Sequence, residues 1–371
     1  MVDHRSLRLV GLLLSTMDLT SSKTSTEDDE QVTVLAIGDP HFKEDNKRTT
    51  DELVQKVLEL VRERRPDYVV IMGDTLHRFK TLNQYANHDA IQWFRALGSL
   101  SRLFVLIGNH DRPTADDFLS DYHAFIALED RTDMTIVSRP VVHYEPKLNG
   151  HLLFVPFVPP KRFGDALSYF DKNELETGRM LFCHQEFTEC DYRGFKSTGG
   201  DDWPSYDFPI IAGHIHKYQR LGEKIVYVGT PFQENFGETE AKTISWFTVT
   251  SRSWKEERIF LHCRPKKELI IEAERLSSFV HDDSADWKVV LKGTSDSLTV
   301  AETSRLFAEL QMKGVIFDRI ATDDLIALDS HEEDGGNESV SLIEALRKEI
   351  DGKAALQRIL QEVLTEIDHQ G

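Results

Sequence analysis

The sequence predicts an α/β protein built on a largely parallel sheet. Three observations carry that expectation: an unbroken apolar run at Val32–Ile37, further runs at Tyr68–Met72 and Leu103–Ile107, and helical periodicity in the intervals between them. Strands covered on both faces read as continuous apolar runs, and parallel neighbours need a crossover segment, usually a helix.

The elements follow in order. Val32–Ile37 is the first strand. Thr49 with Glu52 has the spacing of a capping box, and Leu53, Val54, Val57, Leu58 and Val61 then recur at helical intervals until Pro66. The second strand, Tyr68–Met72, leads to a helix over about 87–97 and a third strand, Leu103–Ile107, which completes a βαβαβ unit. Further strands are expected at 152–155, 180–183, 210–212, 225–228 and 243–249. Several follow one another with no long helix between them, so part of the architecture is antiparallel. Beyond about residue 265, a strand at 287–292, a helix at 300–312 and a strand at 315–320 suggest a small α+β appendage. Residues 329–339 read as an acidic linker, and two amphipathic helices follow around 342–350 and 356–367. The expected division is a flexible leader at 1–30, a main domain at 31–262, a small cap at 263–328, and a linker with closing helices at 329–371.

Composition narrows the function classes. With 44 Lys and Arg against 63 Asp and Glu, the 371-residue chain has a net charge of −19, so any phosphate must be bound by local cations rather than by the overall field. Cys183, Cys190 and Cys263 are widely spaced and include no CxxC pair, which argues against a disulfide framework and a cysteine zinc site and for an intracellular, reducing compartment, cytoplasm or nucleoid or nucleus. The apolar run Leu9–Leu14 behind Arg5 and Arg8 is too short to span a membrane and lacks a clear cleavage site, so neither membrane insertion nor secretion is expected.

Five polar clusters stand at the ends of apolar strands: Gly38-Asp39-Pro40-His41, Gly73-Asp74-Thr75-Leu76-His77, Gly108-Asn109-His110-Asp111, Cys183-His184 and Gly213-His214-Ile215-His216. Asp39, Asp74 and Asn109 are separated by 35 residues each time, one βα unit, so the clusters return to one edge of the sheet. Carboxylate, amide oxygen and imidazole suit divalent Mn, Fe or Zn, with Mg also compatible. A single carboxylate such as Asp74 can bridge two ions, and two ions roughly 3.5–4 Å apart clamp a phosphoryl group and activate a water. Any one of these residues alone would be more readily explained as structural; the ordered set is specific.

The ordered set resembles the calcineurin-like metallophosphoesterase superfamily, whose pattern is D-x-H, G-D, G-N-H-D/E, H and G-H-x-H, over about residues 32–250. The resemblance implies an α+β sandwich, a two-sheet core flanked by helices, with the small cap and C-terminal helices added. It implies that Asp39, His41, Asp74 and His216 hold one metal, and that Asp74, Asn109, His184 and His214 hold the other. His110 would then face the substrate and protonate the leaving oxygen, with Asp111 orienting its imidazole.

Within the superfamily three features resemble the SbcD-type double-strand-break repair nucleases. These are His77 three residues after Asp74, the stretch from Gly213 through Tyr227-Val228-Gly229-Thr230-Pro231 to Phe236-Gly237-Glu238, and the trailing cap and helices. They imply a Mn-dependent DNA exo- or endonuclease of recombination and repair, with His77 helping to place the DNA backbone. They also imply a coiled-coil SbcC-type, SMC-like ATPase as partner, and a homodimer is compatible with the family. Lys43, Arg78, Arg112 and Lys217 follow the site clusters and are the candidate contacts to substrate phosphates. Two alternatives remain open at this point: a phosphatase or cyclic-nucleotide phosphodiesterase with the same site, and a non-catalytic scaffold.

Overall fold

The computed structural model describes residues 30–323, apart from 79, 193, 204 and 205. The linker and helices expected at 329–371, and all but the last residue of the expected leader, lie outside the described residues. The described part begins with β1 (Val32–Ile37), α1 (Lys47–Arg64), β2 (Tyr68–Ile71), α2 (Gln84–Gly98) and β3 (Arg102–Leu106). Next come β4 (Met134–Val137), β5 (Val141–Glu145), β6 (Gly150–Val155), the short helices α3 (Phe163–Leu167) and α4 (Lys172–Glu176), and β7 (Gly178–His184). A small hairpin of β8 (Asp191–Tyr192) and β9 (Phe195–Lys196) precedes β10 (Ile210–Gly213), β11 (Gln219–Leu221), β12 (Ile225–Tyr227), β13 (Ile244–Val249) and β14 (Trp254–Ile259). The last described part holds β15 (Lys266–Glu272), β16 (Asp286–Gly293), α5 (Ser295–Glu302), α6 (Arg305–Met312) and β17 (Ile316–Ala321).

Two six-stranded sheets form the centre, ordered β14-β13-β1-β2-β3-β4 and β11-β12-β10-β7-β6-β5. In the first sheet β1, β2, β3 and β4 are mutually parallel and β13 pairs antiparallel with both β1 and β14; in the second β12, β10, β7 and β6 are parallel, with β11 and β5 antiparallel at its two edges. Alternation along β1 explains why the apolar run is continuous. Leu35 and Ile37 join the core against α1 and α2, whereas Val34 and Ala36 join the core shared with the other sheet. The second sheet has its own outer core, in which Leu153, Leu181 and Ile210 meet Phe163, Leu167 and Phe187. Four layers result, with two sheets face to face and other chain elements covering each outer face.

An aromatic column fastens the two sheets. Phe104 of β3 stacks on Phe154 of β6 with centroids 4.0 Å apart and planes 9° apart, and Phe154 stacks in turn on Phe182 of β7 at 5.3 Å. All three rings are buried. A third sheet, β15-β16-β17, is wholly parallel and carries α5 and α6 with a separate apolar cluster around Val289, Leu291, Leu298 and Leu310.

Three local expectations are corrected. Helix α1 begins at Lys47, so Thr49 and Glu52 are not a capping box; Thr49 and Thr50 are buried within the first turn, and the Thr50 hydroxyl donates to the Asn46 and Lys47 carbonyls. Helix α2 starts earlier than expected because the Asn83 side chain caps the Ala86 N–H at 3.0 Å. The helix expected over 300–312 is two helices, since the Ser304 hydroxyl accepts from the Phe307 N–H and begins α6 afresh.

The aromatic column yields a stability test. Phe104→Ala leaves a cavity between the two sheets and is expected to lower unfolding free energy by roughly 3–5 kcal/mol in denaturant titration. A change below about 1 kcal/mol would show that the sheets are held together elsewhere.

Candidate metal centre

The five polar clusters meet at the carboxyl ends of central strands from both sheets. Asp39 and His41 leave β1, Asp74 and His77 leave β2, and Asn109 and His110 leave β3. His184 ends β7, and His214 and His216 follow β10. Asp39, His41, Asp74 and His184 are buried, while Asn109, His110, His214 and His216 are partly exposed.

Tight backbone geometry brings them together. His41, Asp74 and His214 all have positive φ, at 44°, 44° and 80°, a conformation that costs a residue with a side chain of order 1 kcal/mol or more. Three such residues in one site indicate that the fold over-determines their placement. Gly108 must lack a side chain, because a Cβ there would run into the backbone nitrogen and carboxylate of Asp74. Gly73, at φ 105°, lies against His184 in the same way.

On one side, His184 Nε2 is 3.1 Å from Asn109 Oδ1, 3.2 Å from His214 Nδ1 and 3.3 Å from Asp74 Oδ2. Asn109 Oδ1 is also 3.0 Å from His214 Nδ1. The ligand atoms of Asp74, His184 and His214 all lie within 4.8 Å of one another. On the other side, His41 Nε2 is 3.0 Å from His216 Nε2 and 4.0 Å from Asp74 Oδ2. Asp39 Oδ2 accepts from the His214 backbone N–H at 2.9 Å and Oδ1 lies 3.3 Å from His184 Nδ1, which binds the loops of both sheets to one carboxylate. Asp74 stands between the two groups.

The chemistry of this donor set fits divalent cations. His184 Nδ1 sits 2.8 Å from the Met72 carbonyl and donates to it, so its Nε2 turns toward a carboxylate oxygen, an amide oxygen and another imidazole nitrogen. These are mainly electron-pair donors. Burial opposes charge on His184, but Asp74 and Asp39 outweigh it and hold its pKa up at about 9. Burial likewise opposes ionisation of Asp74, yet His184, His110 and His41 hold that carboxyl well below its usual range. Asp39 goes the other way, raised by burial more than His184 can offset. The pocket therefore calls for added positive charge, which a metal supplies while leaving the imidazoles neutral.

His110 lies at the edge of this centre, with Nε2 3.9 Å from Asp74 Oδ2 and its ring 5.1 Å from that of His41. Its Nδ1 is 2.5 Å from the His77 carbonyl. The expected orienting role of Asp111 is corrected by this contact. Asp111 is buried with its carboxylate turned to the backbone, accepting from the N–H groups of Gly108 at 3.0 Å, Leu76 at 2.9 Å and Thr75 at 3.3 Å. It fixes the loops that carry His77 and His110, and the His77 carbonyl orients the imidazole. The His77 ring stacks with that of His110 at 6.1 Å, and His77 Nδ1 is 3.7 Å from Glu234.

The four cations expected at substrate differ sharply. Lys43 Nζ is 2.8 Å from Glu234 Oε2, and Lys217 Nζ is 2.5 Å from Asp191 Oδ2, so both neutralise protein carboxylates. Arg78 is exposed and lines a depression of about 320 Å³ with His77, Leu82 and Asn83. Arg112 is buried. Two residues that sequence reasoning did not place at the site are acidic. Glu186 Oε2 lies 3.8 Å from His214 Nε2, and Glu238 Oε1 lies 3.6 Å from His216 Nδ1, each behind an imidazole. Glu186 follows His184 by two residues at a strand end, a spacing that could have drawn attention to it.

The calcineurin-like phosphoesterase family model matches residues 32–244. The provisionally named phosphoesterase 078R of Invertebrate iridescent virus 3 is 33% identical over 298 residues, covering 78% of this chain and 85% of that protein. Phosphoesterase 244L of Invertebrate iridescent virus 6, also provisionally named, is 36% identical over 209 residues, 56% of this chain and 72% of the relative.

The position of Asp74 between the two groups yields a metal-binding test. Asp74→Asn keeps the size and hydrogen bonding of the side chain but removes its charge, and is expected to reduce bound Mn²⁺ in equilibrium dialysis from two ions per chain to one or none. Two ions retained at wild-type affinity would remove Asp74 from the centre.

Proposed function

The chain belongs to the calcineurin-like phosphoesterases and is a metal-dependent hydrolase of ester bonds, and from that premise we propose that it is a two-metal phosphodiesterase, a manganese-dependent DNA nuclease of recombination and repair. One observation carries the reading: seven donors (Asp39, His41, Asp74, Asn109, His184, His214 and His216) converge from five strand ends, with Asp74 between two groups. In this reading Asp39, His41, Asp74 and His216 hold one divalent ion, and Asp74, Asn109, His184 and His214 the other. When bound, such ions polarise the phosphoryl group and make a water nucleophilic at neutral pH.

The remaining chemistry belongs to the chain. His110 keeps its Nδ1–H on the His77 carbonyl, so Nε2 is the atom that can carry a proton to the departing oxygen. Asp74 accepts from the His110 backbone N–H at 2.8 Å, which fixes the imidazole relative to the centre. His77 supports the polymer part of the reading, because its partly exposed ring stands beside His110 and lines the depression that contains Arg78. The arrangement suits a backbone running past the centre more than a small monoester. By the same reading an SMC-like coiled-coil ATPase is the partner.

The direct test compares Mn²⁺-dependent release of nucleotides from linear duplex DNA with hydrolysis of a chromogenic phosphodiester and a phosphomonoester. DNA is expected to be cleaved, and His77→Ala is expected to lower DNA cleavage at least tenfold more than diester hydrolysis. Hydrolysis of the monoester alone would overturn the nuclease reading in favour of a phosphatase. Separately, His110→Ala is expected to keep wild-type Mn²⁺ stoichiometry while losing about 10²–10⁴-fold in kcat; unchanged turnover would remove it from the role of acid.

A further inference from the structure

A second concavity, of about 300 Å³, has His110 in its wall and shares Leu76, Arg78 and Leu82 with the depression that contains His77. Its walls include His110, Arg112, Arg78, Lys80 and Tyr122. Arg112 is the unusual member. Its side chain is only 2% exposed, and neither Nε nor Nη2 has a hydrogen-bond partner among the described residues. The guanidinium is steadied by Phe157, whose ring centre lies 5.1 Å from Cζ, and Phe157 in turn packs against His214.

A buried arginine with unused donors is costly unless something pairs with it. The neighbouring carboxylates do not. Asp111 has committed both oxygens to backbone N–H groups, and Asp121, which also lines the concavity, is bound to Arg139 at 2.7 Å. Asp117 is exposed and makes no ion pair with Arg112 among the described residues. Planar guanidinium donors suit phosphate oxygens, and Arg78 and Lys80 add positive charge to the same walls. Tyr122 and Ile126, 76% and 53% exposed, give the rim an apolar surface for the organic part of a ligand.

We propose that this concavity is a phosphate subsite in which Arg112 binds a second phosphate of the substrate, on the side toward which the leaving group departs. The side follows from His110. The same imidazole that hands a proton to the departing oxygen forms part of the wall, so the released fragment moves along this concavity. The inference rests on the hydrolase reading above and deepens it: the preferred substrate carries a phosphate on its leaving fragment, next to the one cleaved.

Two measurements on the full chain test it. In the first, EDTA-treated protein is melted with increasing inorganic orthophosphate, so that no metal can bind the anion. Wild type is expected to gain a saturable rise in Tm, and Arg112→Met to show none; no rise in wild type, or an equal rise in both, overturns the subsite. In the second, kcat/KM with Mn²⁺ is compared for the dinucleotide TpT and its doubly end-phosphorylated form pTpTp. A preference for pTpTp of at least tenfold is expected in wild type, shrinking to within about twofold in Arg112→Met and remaining intermediate in Arg112→Lys. The lysine variant also serves if the methionine variant does not fold. Hydrolysis of both substrates without preference, or a preference that survives Arg112→Met, overturns the assignment. An orthophosphate response without a kinetic preference would assign the site to a free anion and overturn its role in substrate binding. If neither dinucleotide is cleaved, the phosphodiesterase reading fails, and the melting experiment still decides whether Arg112 binds phosphate.

Discussion

The crowding of polar side chains from two sheets within hydrogen-bonding distance of one another is the constraint on which the molecule is organised. His184, His214, Asn109 and Asp74 face each other at 3.0–3.3 Å. Burial opposes charge here, yet Asp74 and Asp39 hold His184 up at about 9, while His184, His110 and His41 hold Asp74 well below its usual range. They stay in place because each is attached to a central strand whose flanks are fully packed. Such a donor set suits added positive charge, and a binuclear divalent metal centre is the use to which the family puts it.

Holding donors from two different sheets in one pocket demands that the sheets not slide. The Phe104–Phe154–Phe182 column does this in the apolar interior. At the mouth, Asp39 and the Met72 carbonyl reach from the first sheet to His214 and His184 of the second. Strained backbone at His41, Asp74 and His214 is the local consequence, since three chain reversals must fit in the space where two sheet ends converge.

Much of this was legible in the sequence because apolar continuity and its abrupt polar ending are both one-dimensional signals. Val32–Ile37 and Leu103–Ile107 announced covered parallel strands, and the clusters after them named the donors that the structure gathers. What escaped was decided by partners far along the chain. Strands β5 and β14 alternate exposed with partly buried residues and carry His143, Lys255 or Glu257, so they lack the apolar run that marks a strand. Lys43 looked like a free cation, but Glu234, 191 residues away, neutralises it. Asp111 looked like a partner for its neighbour His110, yet the loops of β2 and β3 offer it three N–H groups first. Arg112 reads as one more surface charge, and only the fold reveals that it is enclosed.

The order of strands separates chemistry from periphery. Donors come from β1, β2 and β3, and from β7 and β10, all interior to their sheets, while β4, β5, β11 and β14 form the margins. Rows of backbone groups at those margins can lengthen, shorten or acquire a neighbouring strand without moving a donor atom. A change of outline there, or a new associate docked on it, would therefore leave the reactive interior in place.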